Sequence, residues 1–215
     1  TATVTALLTA AVVLGGVYST FPYVERWHND HPAADFMARV DEDLRLKGRS
    51  VPLADETVPA TVMPPWLFPY NKASRLVPLL GLPTSYPDAT PELYAIATDG
   101  SVRPALIEEV VSSKADPPEE CGWVIDEDGG TVPLDRTAMG VSWWVRVAYL
   151  ASAPSPVVVT AGEQQWETTL GMGAQSLFLH SESQFDEIRF SGLAPGTTAC
   201  VELVQVGTVT AEETP

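Results

Sequence analysis

Few residues in this chain are equipped for chemistry, and they do not form a ready-made set. Asp126, Glu127 and Asp128 stand directly before Gly129 and Gly130, and carboxylate oxygens of this kind suit calcium. A calcium loop alternates its donors, however, whereas adjacent acids on a strand point to alternate faces. The run therefore reads as a solvated hairpin tip, with Asp126 and Asp128 as the calcium candidates. His28 and His31 flank Asp30 and could offer a metal two or three ligands, or serve as simple polar residues of a membrane-proximal turn. No G-x-S-x-G elbow, activated cysteine or glycine-rich phosphate loop is present. No catalytic residue and no cofactor is expected from these patterns.

The segment "VSWWVRVAYLA", Val141 to Ala151, offers a different chemistry. Neighbouring residues of a strand face opposite ways, so Val141, Trp143, Val145, Val147 and Tyr149 form one large apolar face that must be core. The other face carries Ser142, Trp144, Arg146, Ala148 and Leu150. There an indole could stack on the apolar side of a pyranose while a guanidinium donates hydrogen bonds. Alternatively, a neighbouring unit covers Trp144, which would produce the same pattern. Trp166, in "EQQWETT", shares a face with Gln164 and Thr168 and reads as more exposed than Trp143. Trp144, Arg146 and Trp166 are thus the candidate glycan-binding residues, with Trp123 and Trp66 as packing residues between units.

These side chains must be positioned by two kinds of local structure. "HPAADFMARVDEDLRLKG" reads as an amphipathic helix with Phe36, Val40 and Leu44 on one stripe and Gly48 as its stop. "SVPLADETVPATVMP" suits an edge strand broken by prolines. "NKASRLVPLLG" reads as a short helix interrupted at Pro78. A hairpin follows, from Leu93 to Thr98 and Val102 to Val110 around Asp99-Gly100. After the Pro- and acid-rich stretch from Ser112 to Glu120, short β-segments alternate with turns at Gly129, Gly162, Gly171 to Gly173, and Pro195-Gly196. That rhythm indicates an antiparallel β-sandwich or jelly roll.

Composition narrows the partners. The 215 residues are 45% hydrophobic and 19% charged, which excludes wholesale disorder. With 12 Lys and Arg against 28 Asp and Glu, the net charge of −16 argues against nucleic acid and polyanions. Residues 1–21 contain no charge, a length suited to crossing the hydrocarbon layer of about 30 Å. Tyr18, Phe21, Tyr23 and Trp27 cluster at its carboxyl-terminal end as an interfacial belt would. Acidic residues dominate the next stretch, so this flank is expected to be non-cytoplasmic. A buried helix is the competing reading of the same segment. Cys121 and Cys200 could be one disulfide or two buried thiols. They open the first and last strands of the expected sandwich, and a bridge between them is favoured in an oxidising compartment.

The order "YSTFPYVERWHNDHPAADFMARVDEDL", "FPYNKASRLVPLLG", then "CGWVI", "GGTVPL", "WWVRVAYLAS", "VVVTAG" and "SGLAPGTTACVELVQVG" resembles the extracytoplasmic carboxyl-terminal region of bacterial multi-pass GT-C-like membrane glycosyltransferases. The resemblance implies a last transmembrane helix, a mixed unit, and a jelly roll similar to carbohydrate-binding modules and galactose-binding-like domains. It implies a cell-envelope polysaccharide or glycolipid as partner, a lipid-linked sugar donor, and catalysis by a part of the protein upstream of this region. No catalytic or sugar-contacting residue carries over to this chain. The expected organisation is α+β: a transmembrane helix at 1–24, a small extracytoplasmic α/β unit at 25–111, a linker at 112–120, the disulfide-closed sandwich at 121–209 and a tail at 210–215. A purely structural role, bracing or dimerising the membrane part, is the first rival expectation; a free-standing envelope hydrolase, which would need a suitably spaced pair of carboxylates that nothing in the sequence selects, is the last.

Overall fold

A computed structural model describes residues 32–48, 50–55, 72–114, 121–139 and 142–212. The expected membrane span, the His28 and His31 pair and Trp66 lie outside the described residues. Among the described residues, no helix is long and apolar enough to cross a membrane.

The first helix, α1 (Pro32–Lys47), forms where the apolar spacing requires it. Phe36, Val40 and Leu44 are buried, while Asp41 and Arg45 pair one turn apart on the polar side at 2.8 Å. Gly48 ends the helix with φ +63°, its N–H donating to the Arg45 carbonyl. The buried stripe packs on Val51, Leu53, Leu76, Val77 and Val102. Two short strands, β1 (Val51–Pro52) and β2 (Thr84–Ser85), pair in parallel beside it. Between them lie α2 (Ala73–Leu76) and a 3-10 turn (Val77–Leu80) that begins where Pro78 interrupts the α-helical pattern.

The remaining strands build a sandwich. They are β3 (Ala89–Thr90), β4 (Tyr94–Ile96), β5 (Val102–Ser112), β6 (Trp123–Ile125), β7 (Gly130–Ala138), β8 (Trp143–Ala151), β9 (Ser155–Ala161), β10 (Gln164–Leu170), β11 (Gly173–Ser181), β12 (Phe185–Ser191) and β13 (Ala199–Ala211). The larger sheet runs β3-β11-β8-β13-β5-β4, with β6 also on β13; the smaller runs β10-β9-β12-β7. β13 is long enough to be flanked on one edge by β8 and on the other by β6 and then β5. Between those two, Ser113 fills the edge by exchanging bonds with Val204: its N–H donates to the carbonyl and its Oγ accepts the amide. The core between the sheets includes Val145, Val147 and Tyr149 from β8, facing Val159, Trp166, Ile188 and Phe190.

Two boundaries differ from the sequence reading. The hairpin expected within the small unit belongs to the larger sheet, because β5 pairs with β13 along Ala105 to Ser112 and carries β4 with it. β3 joins the opposite edge through β11. The last strand also runs two residues beyond the expected boundary at 209, to Ala211, where Glu212 donates to the Pro104 carbonyl. Hydrophobicity within a hairpin does not reveal which further strand completes it, so the small unit looked larger than it is.

The disulfide is present. Cys121 and Cys200 are bonded, with Cα atoms 6.0 Å apart, tying the start of β6 to β13. Trp123 pairs with Val201 in register, so the bridge sits beside a ladder that already joins the two strands.

Candidate functional site

β8 sorts its side chains as alternation requires. Val145, Val147 and Tyr149 are buried between the sheets, with Trp143 half-buried against the same core. Trp144 and Arg146 point outward from the larger sheet. Trp144 is nonetheless only 4% exposed, because part of the outer face is covered. Ala54, Leu93, Ala95, Phe178 and Val209 pack with it into a separate apolar cluster. The indole is therefore a wedge between the small unit and the sandwich.

Arg146 lies two residues further along the same face and is engaged with its neighbours. Its Nε donates to Ser176 Oγ at 3.2 Å and its guanidinium to Gln205 Oε1 at 2.9 Å. Gln205 passes the chain on by donating to Glu109 at 3.0 Å. This ladder crosses β11, β8, β13 and β5.

Trp166 corrects the expectation of an exposed ring. It points inward from β10, is 7% exposed, and belongs to the main core. Its polar neighbours misled the reading because Gln164 satisfies its polarity locally: its Oε1 accepts bonds from the Ser181 hydroxyl and the Glu182 amide. Trp144, Arg146 and Trp166 consequently do not share one site. The two outward residues are on the larger sheet, and Trp166 is between the sheets.

Asp126 caps its own turn, accepting the Asp128 amide at 2.9 Å while Asp126 and Gly129 bridge as a tight hairpin end. Among the described residues, no group of three metal-ligating side chains converges, here or elsewhere.

A cleft of about 450 Å³ opens beside the Trp144 wedge. The small unit and the approach to β3 contribute Asp55, Lys72, Tyr86 and Asp88; the sheet contributes Ser142, Trp144, His180 and Glu182. Asp55 is held rigidly, accepting both the amide and the hydroxyl of Ser74 at 2.8 Å, with Lys72 Nζ 3.6 Å away. Tyr86 donates its hydroxyl to the Ala73 carbonyl at 3.0 Å, and burial pushes its pKa above the ordinary phenol value.

On the sheet side, His180 stands opposite Trp144 in the β8–β11 ladder. The Ser142 hydroxyl and His180 Nε2 are 2.9 Å apart. The other ring nitrogen, Nδ1, lies 3.9 Å from Asp88 Oδ1, and the His180 amide donates to the Asp88 carbonyl at 2.8 Å. Ser142 and Asp88 are open to solvent, while the imidazole is 22% exposed.

Of the sequence candidates, the cleft takes in only Trp144. Ser142 was visible on the same face of the strand, but Asp88, Tyr86 and His180 had no signal pointing to them. The alternation in "SLFLHS" could have turned His180 outward, since Leu177 and Leu179 face the core. Its partner strand depends on long-range pairing, which one sequence does not display.

The chain matches no family profile and no curated protein sequence. Among solved structures, apo BiXyn10A CBM1 overlaps 37% of this chain and 73% of its own at 10% identity, with a TM-score of 0.28. A ruminal GH26 endo-beta-1,4-mannanase overlaps 46% of this chain and 22% of its own at 5% identity and TM-score 0.32. A rhamnosidase from Klebsiella oxytoca with rhamnose bound overlaps 49% and 29% at 13% identity and TM-score 0.33. The chain thus spans less than a third of either enzyme, and likenesses at these scores carry no argument about this chain.

Proposed function

We propose that this chain is the extracytoplasmic region of a GT-C-like membrane glycosyltransferase, and that it holds a cell-envelope glycan in the cleft beside Trp144. One observation carries the proposal: the cleft lies where two structural units meet and combines the half-buried ring of Tyr86 and the edge of the buried Trp144 indole with polar groups of both charges. Binding sites favour such junctions, where a few fixed polar groups orient a ligand against apolar walls. Asp55 is preorganised by Ser74, so it could accept sugar hydroxyls without reordering. Two further features agree with the reading. The strands from β6 to β13 follow the order of a jelly roll, β6-β13-β8-β11 against β7-β12-β9-β10, and the disulfide suits an oxidising, extracytoplasmic setting.

The reading is tested by titrating the full 215-residue chain with arabinan, galactan and mannan fragments, following heat and tryptophan fluorescence. Saturable binding to one polymer, weakened about tenfold or more by Asp55→Asn or Tyr86→Phe in a folded protein, is the expected outcome. A folded chain silent toward all three would favour the bracing role, which the near-complete burial of Trp144 against the small unit also suits.

A further inference from the structure

Ser142, His180 and Asp88 come from three distant parts of the chain and meet at the mouth of one cleft. Their order is that of a nucleophile, a base and an orienting carboxylate. With its ring proton on Nδ1, facing the Asp88 carboxylate, His180 presents the Nε2 lone pair to the Ser142 hydroxyl at 2.9 Å. That tautomer is the one that can accept the hydroxyl proton. The bond from the His180 amide to the Asp88 carbonyl fixes the Asp88 backbone beside the ring, leaving its largely exposed carboxylate 3.9 Å from Nδ1, and the Trp144 indole borders the ring with 5.1 Å between centroids. A Ser–His bond that served only to join two strands would not need an open hydroxyl above a cleft. Lys72 adds a positive charge to the cleft lining.

We infer that Ser142 and His180 form a nucleophile–base pair that cleaves O-acyl esters, with Asp88 as the positioning residue. Ser142 Oγ attacks the ester carbonyl carbon while its proton passes to Nε2, giving a tetrahedral oxyanion. Collapse breaks the acyl carbon–oxygen bond, and Nε2 returns the proton to the departing sugar alkoxide. Water then attacks the acyl-serine, its proton goes to Nε2, and the carboxylic acid leaves as Ser142 regains its hydrogen. No oxidant, reductant or metal enters the balance. The choice of an acylated glycan as substrate rests on the function proposed above; the nucleophile–base pair does not.

The test uses the full chain with three probes. A fluorophosphonate should label Ser142, located by peptide mass mapping. p-Nitrophenyl acetate should be hydrolysed, and Ser142→Ala, an exposed change with little effect on folding, should lower that rate by about 100-fold or more and abolish labelling. Asp88→Asn should lower kcat on the order of tenfold with KM unchanged, with recovery in Asp88→Glu, since an orienting carboxylate acts through the imidazole. Absence of labelling, or equal hydrolysis by the wild type and Ser142→Ala, overturns the pair. Acetate release from glucose pentaacetate tests the sugar substrate: Ser142-dependent release supports it, and its absence alongside active p-nitrophenyl acetate cleavage overturns that assignment. Glycan binding retained by Ser142→Ala would show that the cleft holds its ligand whatever the fate of the chemistry.

Discussion

His180 and Trp144 are paired residues of adjacent antiparallel strands, with ring centroids 5.1 Å apart and planes tilted by 49°. The indole is locked in the seam between the units, so the imidazole beside it has a firm wall. The same tryptophan thus both joins the units and borders the cleft. Trp166, which looked like its counterpart in the sequence, contributes only to the core.

Those two roles separate by experiment. Trp144→Ala and Trp166→Ala should each cost about 3–5 kcal/mol, because both remove a large buried side chain; urea unfolding measures this. The milder Trp144→Phe should move the His180 imidazole resonances in the NMR spectrum, and Trp166→Phe should leave them in place.

Replacing both cysteines by serine should lower stability by about 4.5 kcal/mol on the chain-entropy account of a 79-residue loop. Thermal melts of the double variant, compared with wild type with and without reductant, check the size. Because β6 and β13 also share a ladder, the reduced protein should keep its native sheet signal below its transition.

Gly207 sits at a bulge in β13 and also lines the cleft. A methyl group there would lie 1.9 Å from the Glu108 carbonyl oxygen, so the backbone of β5 would have to move. Gly207→Ala should therefore destabilise by about 1–3 kcal/mol, the range of overpacked sites, and hydrogen exchange should accelerate along the β5–β13 ladder first.

Acid should weaken the turn before β5. Asp99 accepts the hydroxyl and amide of Ser101, and these bonds, then Arg103 and Arg39, hold its pKa below the ordinary value of 3.8. A depressed folded-state pKa means stability that is present above the unfolded value and lost as pH falls through the folded one. Asp99→Asn should therefore melt lower than wild type at pH 7, and the difference should vanish as the pH falls well below 3.8. The effect should be small because the side chain is 42% exposed.

Local patterns in the sequence carried much of the fold. The α1 stripe, the break at Pro78, the Asp99-Gly100 hairpin and the inward face of β8 all follow from spacings of two to four residues, where neighbours in sequence are neighbours in space. The Cys121–Cys200 bridge was legible because the two cysteines stand at the starts of the first and last strands of the sandwich pattern, Cys121 just before β6 and Cys200 near the beginning of β13. The site was far less legible. Trp166 was misplaced because Gln164 and Thr168 suggested solvent, whereas Gln164 serves Ser181 and Glu182. His180 and Asp88 acquire meaning only once β11 lies between β8 and β3, and that pairing joins residues far apart in the chain.

The placement of β13 has a consequence for biosynthesis. It is the last described strand to be made, yet it holds β8 on one edge and β5 and β6 on the other. The larger sheet consequently cannot close while the ribosome is still producing the preceding strands. Until β13 emerges, the edges of β5 and β8 that it will cover remain open to other chains. Cys121 likewise waits for Cys200, so oxidative closure comes after nearly all of the sandwich has been synthesised. A nascent chain of this design depends on late assembly, and protection of those open edges falls to whatever accompanies it during synthesis.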